Sequence, residues 1–223
     1  MKYNNIYKGE FISRPNRFIA HCICDNKEVI CHVKNTGRCK ELLVKNATVF
    51  LTKSDNKNRK TEFDLIAVEK AGKLINIDSQ APNIAVNEYL HSIYPNALIR
   101  SEVKFGNSRF DFYIENGEDK IFLEVKGVTL ENNGFAKFPD APTERGIKHI
   151  NELIDAMQNG YKSQILFVIQ FDDVKSFSPN DVTHRAFGDA LRNAYNKGVS
   201  IQAVNCNVSP DTMTIKKNIP IIL

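Results

Sequence analysis

Between residues 10 and 80 the apolar positions come in short alternating runs. Phe18, Ala20, Cys22 and Cys24 fall on one face of an extended segment and Ile19, His21 and Ile23 on the other, the period of two expected of a half-buried strand. A turn at Asp25-Asn26-Lys27 leads into a second run at 29–33. Segments 47–52, 62–68 and 74–77 predict three more strands, and a basic loop, 53–60, joins the first two of these. Strands this short and this frequent predict a small barrel, and an OB-like barrel is the common nucleic-acid-binding form at that size. The turn-rich stretch Asp78-Ser79-Gln80-Ala81-Pro82 marks a boundary. Residues 1–80 are therefore read as a β domain and 81–223 as a second domain.

Beyond Pro82 the periods lengthen and mix. Segment 83–91 predicts a short helix, and 98–105, 109–114 and 120–126 predict three strands, with Asn116-Gly117 as a hairpin turn. Segment 143–158 carries Ile147, Ile150, Ile154 and Met157 at helical spacing and closes on Asn159-Gly160. The unbroken apolar run at 165–171 predicts a strand buried on both faces. A further helix at 186–196 and a strand at 199–204 complete the order αβββαβαβ, which predicts an α/β domain with a central mixed sheet between helices.

Composition narrows the function classes. The 223 residues are 42% hydrophobic and 25% charged, a globular balance that excludes wholesale disorder. No apolar run approaches the ~20 residues of a membrane span. The first residues show no secretory leader pattern. The five cysteines do not suggest a disulfide framework, so the expected address is cytoplasmic. Charge is uneven: residues 1–80 hold 15 Lys+Arg against 9 Asp+Glu, and residues 81–223 hold 15 against 17. A basic first half fits a polyanion partner, although ordinary solubility charge gives the same count. Lys53, Lys57, Arg59 and Lys60 form a basic loop tip of the kind an OB-like barrel uses on nucleic acid. Cys22, Cys24, Cys31 and Cys39 lie within 18 residues but lack paired zinc-knuckle spacing, and buried thiols are the simpler reading. With no Gly-rich phosphate loop and no nucleophile elbow, no nucleotide cofactor is expected.

The candidate chemistry is Asp111, Glu124 and Lys126. Asp/Glu-x-Lys occurs six times in the chain, so register has to single one out. With Asn116-Gly117 as the two-residue turn, Asp111 opposes Phe122, and Asp111, Glu124 and Lys126 project from one hairpin face. The other face is wholly apolar, with Phe110, Phe112, Ile114, Ile121, Leu123 and Val125. Two carboxylates and a lysine so placed suit a divalent ion, Mg²⁺ or Mn²⁺, that activates water against a phosphodiester. A plainly solvated polar face is the competing reading. Arg145, Lys148 and His149, near the start of the 143–158 helix, add cations where phosphate could bind.

Five segments then stand together and in order: Asn35-Thr36-Gly37-Arg38, Arg109-Phe110-Asp111-Phe112, Glu124-Val125-Lys126-Gly127-Val128-Thr129-Leu130, Phe138-Pro139-Asp140-Ala141 and Arg145-Gly146-x-Lys148-His149. This set resembles the bacterial and archaeal sugar fermentation stimulation protein family over essentially the whole chain. The resemblance implies an N-terminal OB-like domain, a C-terminal domain similar to restriction-endonuclease-like PD-(D/E)xK nucleases, and DNA as partner. It places the two acids on Asp111 and Glu124, the lysine on Lys126, a further metal ligand on Glu88, and favours Arg38 as a phosphate donor. It departs at His32-Val33-Lys34 and at Thr183-His184. The expected function is metal-dependent hydrolysis of DNA. The alternatives are a non-cleaving DNA-binding regulator of sugar-utilisation genes and a protein-interaction module.

Overall fold

The computed structural model describes residues 1–35, 37–56 and 58–223. The first half is built from β1 (Ile6–Asn16), β2 (Ile19–Cys24), β3 (Lys27–Val33), β4 (Thr48–Lys53), β5 (Phe63–Lys70) and β6 (Lys73–Asn76). The sheet order is β3-β2-β1-β4-β5-β6, and a parallel β3–β5 pairing joins its ends. Five strands therefore close into the OB barrel, with β6 as a hairpin extension of β5. Asp25 and Asn26 both take positive φ in the two-residue turn between the Cys24↔Lys27 pair. Cys22, Cys24, Cys31 and Cys39 are all buried and free. Burial pushes the Cys39 thiol up to about 12, and all four side chains sit in the hydrophobic core, filling it as small apolar groups. No set of three or more metal-ligating side chains forms among the described residues. The long β1 was not predicted, because only Phe11 along it is buried and its alternation is weak. Gly9 in that strand has a close-approach role: a Cβ there would lie 2.6 Å from the Ile23 carbonyl oxygen.

The second half comprises α1 (Ala81–Ile93), β7 (Leu98–Phe105), β8 (Ser108–Asn116), β9 (Asp119–Val128), β10 (Leu130–Asn132), β11 (Phe135–Phe138), α2 (Glu144–Gln158), β12 (Lys162–Ile169), β13 (Ser176–Pro179), α3 (Asp181–Asn196), β14 (Ser200–Val208) and β15 (Met213–Asn218). Its main sheet runs β15-β14-β12-β9-β8-β7, and β10-β11-β13 form a small second sheet. The pairs β9–β12 and β12–β14 are parallel and the others antiparallel, so the sheet is mixed. Ala85, Val86 and Leu90 of α1 share a core with Phe112, Ile114, Leu123 and Val125. Ile150, Leu153 and Ile154 of α2 and Phe187 of α3 share the other with Phe110, Phe122 and Phe167.

Two expectations are corrected here. The β8–β9 hairpin pairs Asn116 with Asp119, which makes Gly117-Glu118 the turn and shifts the register by two residues from the predicted one. Gly117 takes the positive φ that this turn needs, at +63°. The even shift preserves the faces, but the alternation itself fails at one point. Phe110 packs against Phe122 and Phe105, on the α2 side, whereas Phe112 packs on the α1 side.

The junction between the halves is a buried polar knot. Gln170, 1% exposed, donates from Nε2 to the Asn76 carbonyl, to Asn76 Oδ1 and to the Asp78 carbonyl, each at 3.1 Å. Asn76 Nδ2 donates to the Tyr3 hydroxyl (3.0 Å), which donates to Asp78 Oδ2 (3.2 Å). Tyr3 in turn donates its backbone N–H to the Asp211 carbonyl at 2.7 Å, so residues assigned by sequence to the first domain are stitched onto the second. Replacing Gln170 by Ala leaves three buried acceptors without that donor. The expected cost is roughly 2–3 kcal/mol, read as a fall of roughly 5–10 °C in Tm.

Candidate active site

The site forms where the β8 ladder is interrupted on both sides. On the β9 side pairing ends at Phe112↔Leu123, and the next residues on the two strands are Asp111 and Glu124. On the β7 side Ser101↔Phe112 and Val103↔Phe110 bracket a gap at Asp111, opposite Glu102 in a left-handed conformation (φ +58°). The freed backbone is taken up by the side chain: Val125 N–H donates to Asp111 Oδ2 at 2.7 Å. Asn83, in the first turn of α1, donates to Asp111 Oδ1 at 2.8 Å.

Glu124 is 3% exposed and faces α2. Its Oε1 accepts from Lys126 Nζ and from His149 Nδ1, each at 2.5 Å. Arg145 Nε donates to His149 Nε2 at 3.3 Å, which assigns the ring proton to Nδ1, on the Glu124 side. Glu124 Oε2 is buried with no hydrogen-bond partner among the described residues. Burial pushes the Asp111 carboxyl up, and the nearby Glu124 carboxylate pushes it further. Burial also pushes Glu124 up, but the His149 hydrogen bond and the Lys126 charge outweigh it and hold the group below its ordinary value. One carboxylate is thus kept ionised while its neighbour resists ionisation, the imbalance a cation would relieve.

Asp111, Glu124 and Lys126 lie close together on the β8–β9 hairpin, but in a register other than the expected one. Asp111 falls next to Glu124 instead of opposite Phe122 and takes its side-chain hydrogen bond from Asn83 of α1, while Glu124 and Lys126 lie toward α2. Glu88 does not join them: its Oε2 accepts from the Met1 ammonium at 2.6 Å, and Asn83 is the α1 residue that reaches Asp111. His149 is 6% exposed and occupied by Glu124, so it supports the carboxylate instead of offering itself to phosphate. Lys148 donates to the Asn107 carbonyl at 3.1 Å, bracing the β7–β8 turn. Arg145 remains exposed at the start of α2. Asn83 was missed because a lone Asn in a first helical turn carries no signal of its own.

The basic loop is also reassigned. Arg59 grips the 4%-exposed Asp64 with both terminal nitrogens, and Lys34 Nζ lies 2.9 Å from the same carboxylate. Lys53 Nζ lies 2.7 Å from Glu62 Oε1. Lys60 is exposed, and the Lys57 expectation lies outside the described residues. Burial would raise the Asp64 pKa, but Arg59 and Lys34 hold it below the ordinary value. The stability this gives is present above pH ~4 and is lost as pH falls through the lowered folded pKa. Arg59→Ala is accordingly expected to cost roughly 3 kcal/mol near neutrality. The Tm gap from wild type, measured by thermal melts across acid pH, should narrow below pH ~4.

The Asn35–Arg38 loop is held from β1 by Arg14, which sequence reasoning also missed. Arg14 Nη1 donates to the carbonyls of Gly37 and Arg38 (both 2.9 Å) and Nη2 to those of Arg17 (2.7 Å) and Asn35 (2.6 Å). Arg38 uses its backbone N–H on Asp140 Oδ2 (3.1 Å), and its side chain is exposed.

Fold and site define a two-domain chain: an OB barrel followed by a mixed-sheet α/β domain bearing two carboxylates and a lysine on one hairpin. Family models match both parts, the SfsA N-terminal OB domain over residues 12–77 and the sugar fermentation stimulation protein RE domain over 80–212. The chain belongs to the sugar fermentation stimulation protein family. It is 56% identical over 226 residues to homologues from Clostridium beijerinckii and Ruminiclostridium cellulolyticum, covering 100% of both chains in each case. Among solved structures it is similar to Pyrococcus furiosus SfsA in complex with Ca²⁺, with TM-score 0.90, 25% identity, and coverage of 100% of this chain and 98% of that one.

Proposed function

We propose that the protein binds nucleic acid and hydrolyses its phosphodiester bonds at Asp111, Glu124 and Lys126 with a divalent cation, Mg²⁺ or Mn²⁺. The observation that carries this is the divided Glu124 carboxylate, with one oxygen clamped by Lys126 and His149 and the other buried without a donor. An unpaired buried carboxylate oxygen is costly, and a hard cation is its natural partner. Asp111 supplies a second oxygen donor, so the residues present fit such an ion. Pyrococcus furiosus SfsA is in complex with Ca²⁺, a cation that takes oxygen ligands, which supports the reading. When bound, the ion supplies Lewis acidity and lowers the pKa of a coordinated water.

The chain's own residues do the rest. His149 fixes the Glu124 carboxylate, so its open oxygen keeps one direction. Asn83 and the Val125 N–H hold the Asp111 carboxylate. Lys126 places an ammonium at the carboxylate where it can stabilise a hydroxide and the charge that grows on a phosphoryl oxygen. The OB barrel and the family support nucleic acid as the substrate class, and DNA is the member we assign. A donor set of two carboxylates among the described residues, with Glu88 turned away, favours a second reading, DNA binding without cleavage in a regulatory role. The test is incubation of DNA with purified protein in Mg²⁺, Mn²⁺ or chelator. Cleavage that needs the cation and disappears in Glu124→Ala supports hydrolysis, and cation-independent or mutant-independent traces overturn it.

A further inference from the structure

Two openings meet at the Asn35–Arg38 loop. One is a cleft of about 410 Å³ between the domains, walled by Arg17, Asn35 and Gly37 from the barrel and by Gly127, Lys137 and Asp140 from the α/β domain. The other, about 420 Å³ on the outside of the barrel, has Arg14, Arg17, Arg38 and Lys40 in its wall and no acidic residue. Arg17 and Gly37 belong to both. Arg17, Arg38 and Lys40 are exposed, and neither they nor Lys137 make an ion pair among the described residues. Several other barrel cations are paired, Lys34 and Arg59 with Asp64, Lys53 with Glu62, and Lys70 and Lys73 facing Glu131, whereas the exposed Lys8, Lys27, Lys45 and Lys60 line neither opening. Among the cations that line the two openings, the unpaired ones run from the outer barrel into the cleft.

The cleft abuts the strand and the helix that carry the site, although Asp111, Glu124, Lys126 and His149 do not line it. Gly127 in its wall directly follows Lys126, and Thr143, also in the wall, caps the helix that carries His149. The two loops that bound it touch. Arg38 N–H donates to Asp140 Oδ2, and a Cβ on Gly37 would lie 2.4 Å from that oxygen. A space of this volume is of the size that holds a small molecule (about 300–1,000 Å³), room for a short stretch of one strand and not for a duplex, whose major groove alone admits an α-helix.

We propose that this cleft is the track of a single-stranded nucleic acid. Its phosphates pass from Arg17, Arg38 and Lys40 to Lys137 and on toward Lys126, and an intact duplex is excluded. This rests on the nucleic-acid reading above and names the substrate form. The test is fluorescence anisotropy in chelator with a labelled single strand of about 20 nucleotides, longer than the ~4–16 that an OB fold covers, and with the matching blunt duplex. The single strand should bind at least about tenfold more tightly than the duplex, a gap of ~1.4 kcal/mol. Arg17→Ala/Arg38→Ala/Lys40→Ala should lose about tenfold for the single strand. With three phosphate contacts gone, its log–log salt slope should shrink by about 2. The charge-matched Lys27→Ala/Lys120→Ala/Lys197→Ala protein should stay within about twofold of wild type. Lys137→Glu, in the opposite wall, should reproduce the loss independently of how well the triple variant folds. Equal affinity for duplex and single strand, or equal losses in the track and charge-matched variants, overturns the track while leaving nucleic-acid binding in place. No binding of either probe at low salt overturns the underlying reading itself.

Discussion

Lys126→Ala is expected to abolish nearly all cation-dependent cleavage, by about 10²–10³ in rate, the usual cost of removing one preorganised charge at a developing anion. Lys126 is 2.5 Å from Glu124 Oε1, yet Glu124 would keep its His149 hydrogen bond in the variant. Nucleic-acid affinity should therefore stay within a few fold, and so should stabilisation by the cation. Cleavage by wild type, Lys126→Ala and Glu124→Ala, purified identically, decides the matter. Residual activity equal in all three sinks the catalytic assignment and leaves binding standing.

The second large effect is on stability. A cation that binds only the folded chain at ~100 times its Kd adds ~2.7 kcal/mol, or roughly 5–10 °C in Tm for a chain of this size. Asp111→Asn should lose most of that response. It should also melt higher than wild type in chelator near neutral pH, because burial and Glu124 disfavour the Asp111 charge. The Asn side chain still accepts from the Val125 N–H, and Asn83 can turn its amide to meet the new NH₂. Equal cation-induced shifts in the two proteins would put the ion elsewhere.

The barrel and the central sheet were legible because their burial follows simple periods: β2 alternates strictly, and β12 is buried almost throughout. The weakly buried β1 and the short β10, β11 and β13 carry no such pattern, since they are held by neighbours that no local window contains. The hairpin bearing the site was legible as a hairpin, and its acids as neighbours. What alternation could not show is the interruption at Asp111, where a side chain replaces a ladder bond and Phe110 crosses to the other core. Arg59 and His149 read as free cations because sequence displays charge but not the buried carboxylate that claims it. Asp64 and Glu124 are those carboxylates, and each lies inside an otherwise apolar run.

The knot of Asn76, Asp78, Tyr3 and Gln170 bears on how the two halves behave as a machine. A hinge needs a few residues that can change φ and ψ without stranding buried polar groups. Here Asn76 and Asp78 sit where a hinge would be, at 1% and 3% exposure, and any rotation would strip their carbonyls of the Gln170 amide that donates to them. The barrel and the α/β domain are thus expected to unfold together, in one melting transition, instead of opening and closing on each other. The gap between them has a fixed gauge, and whatever enters must conform to the protein, since the protein has no inexpensive way to conform to it.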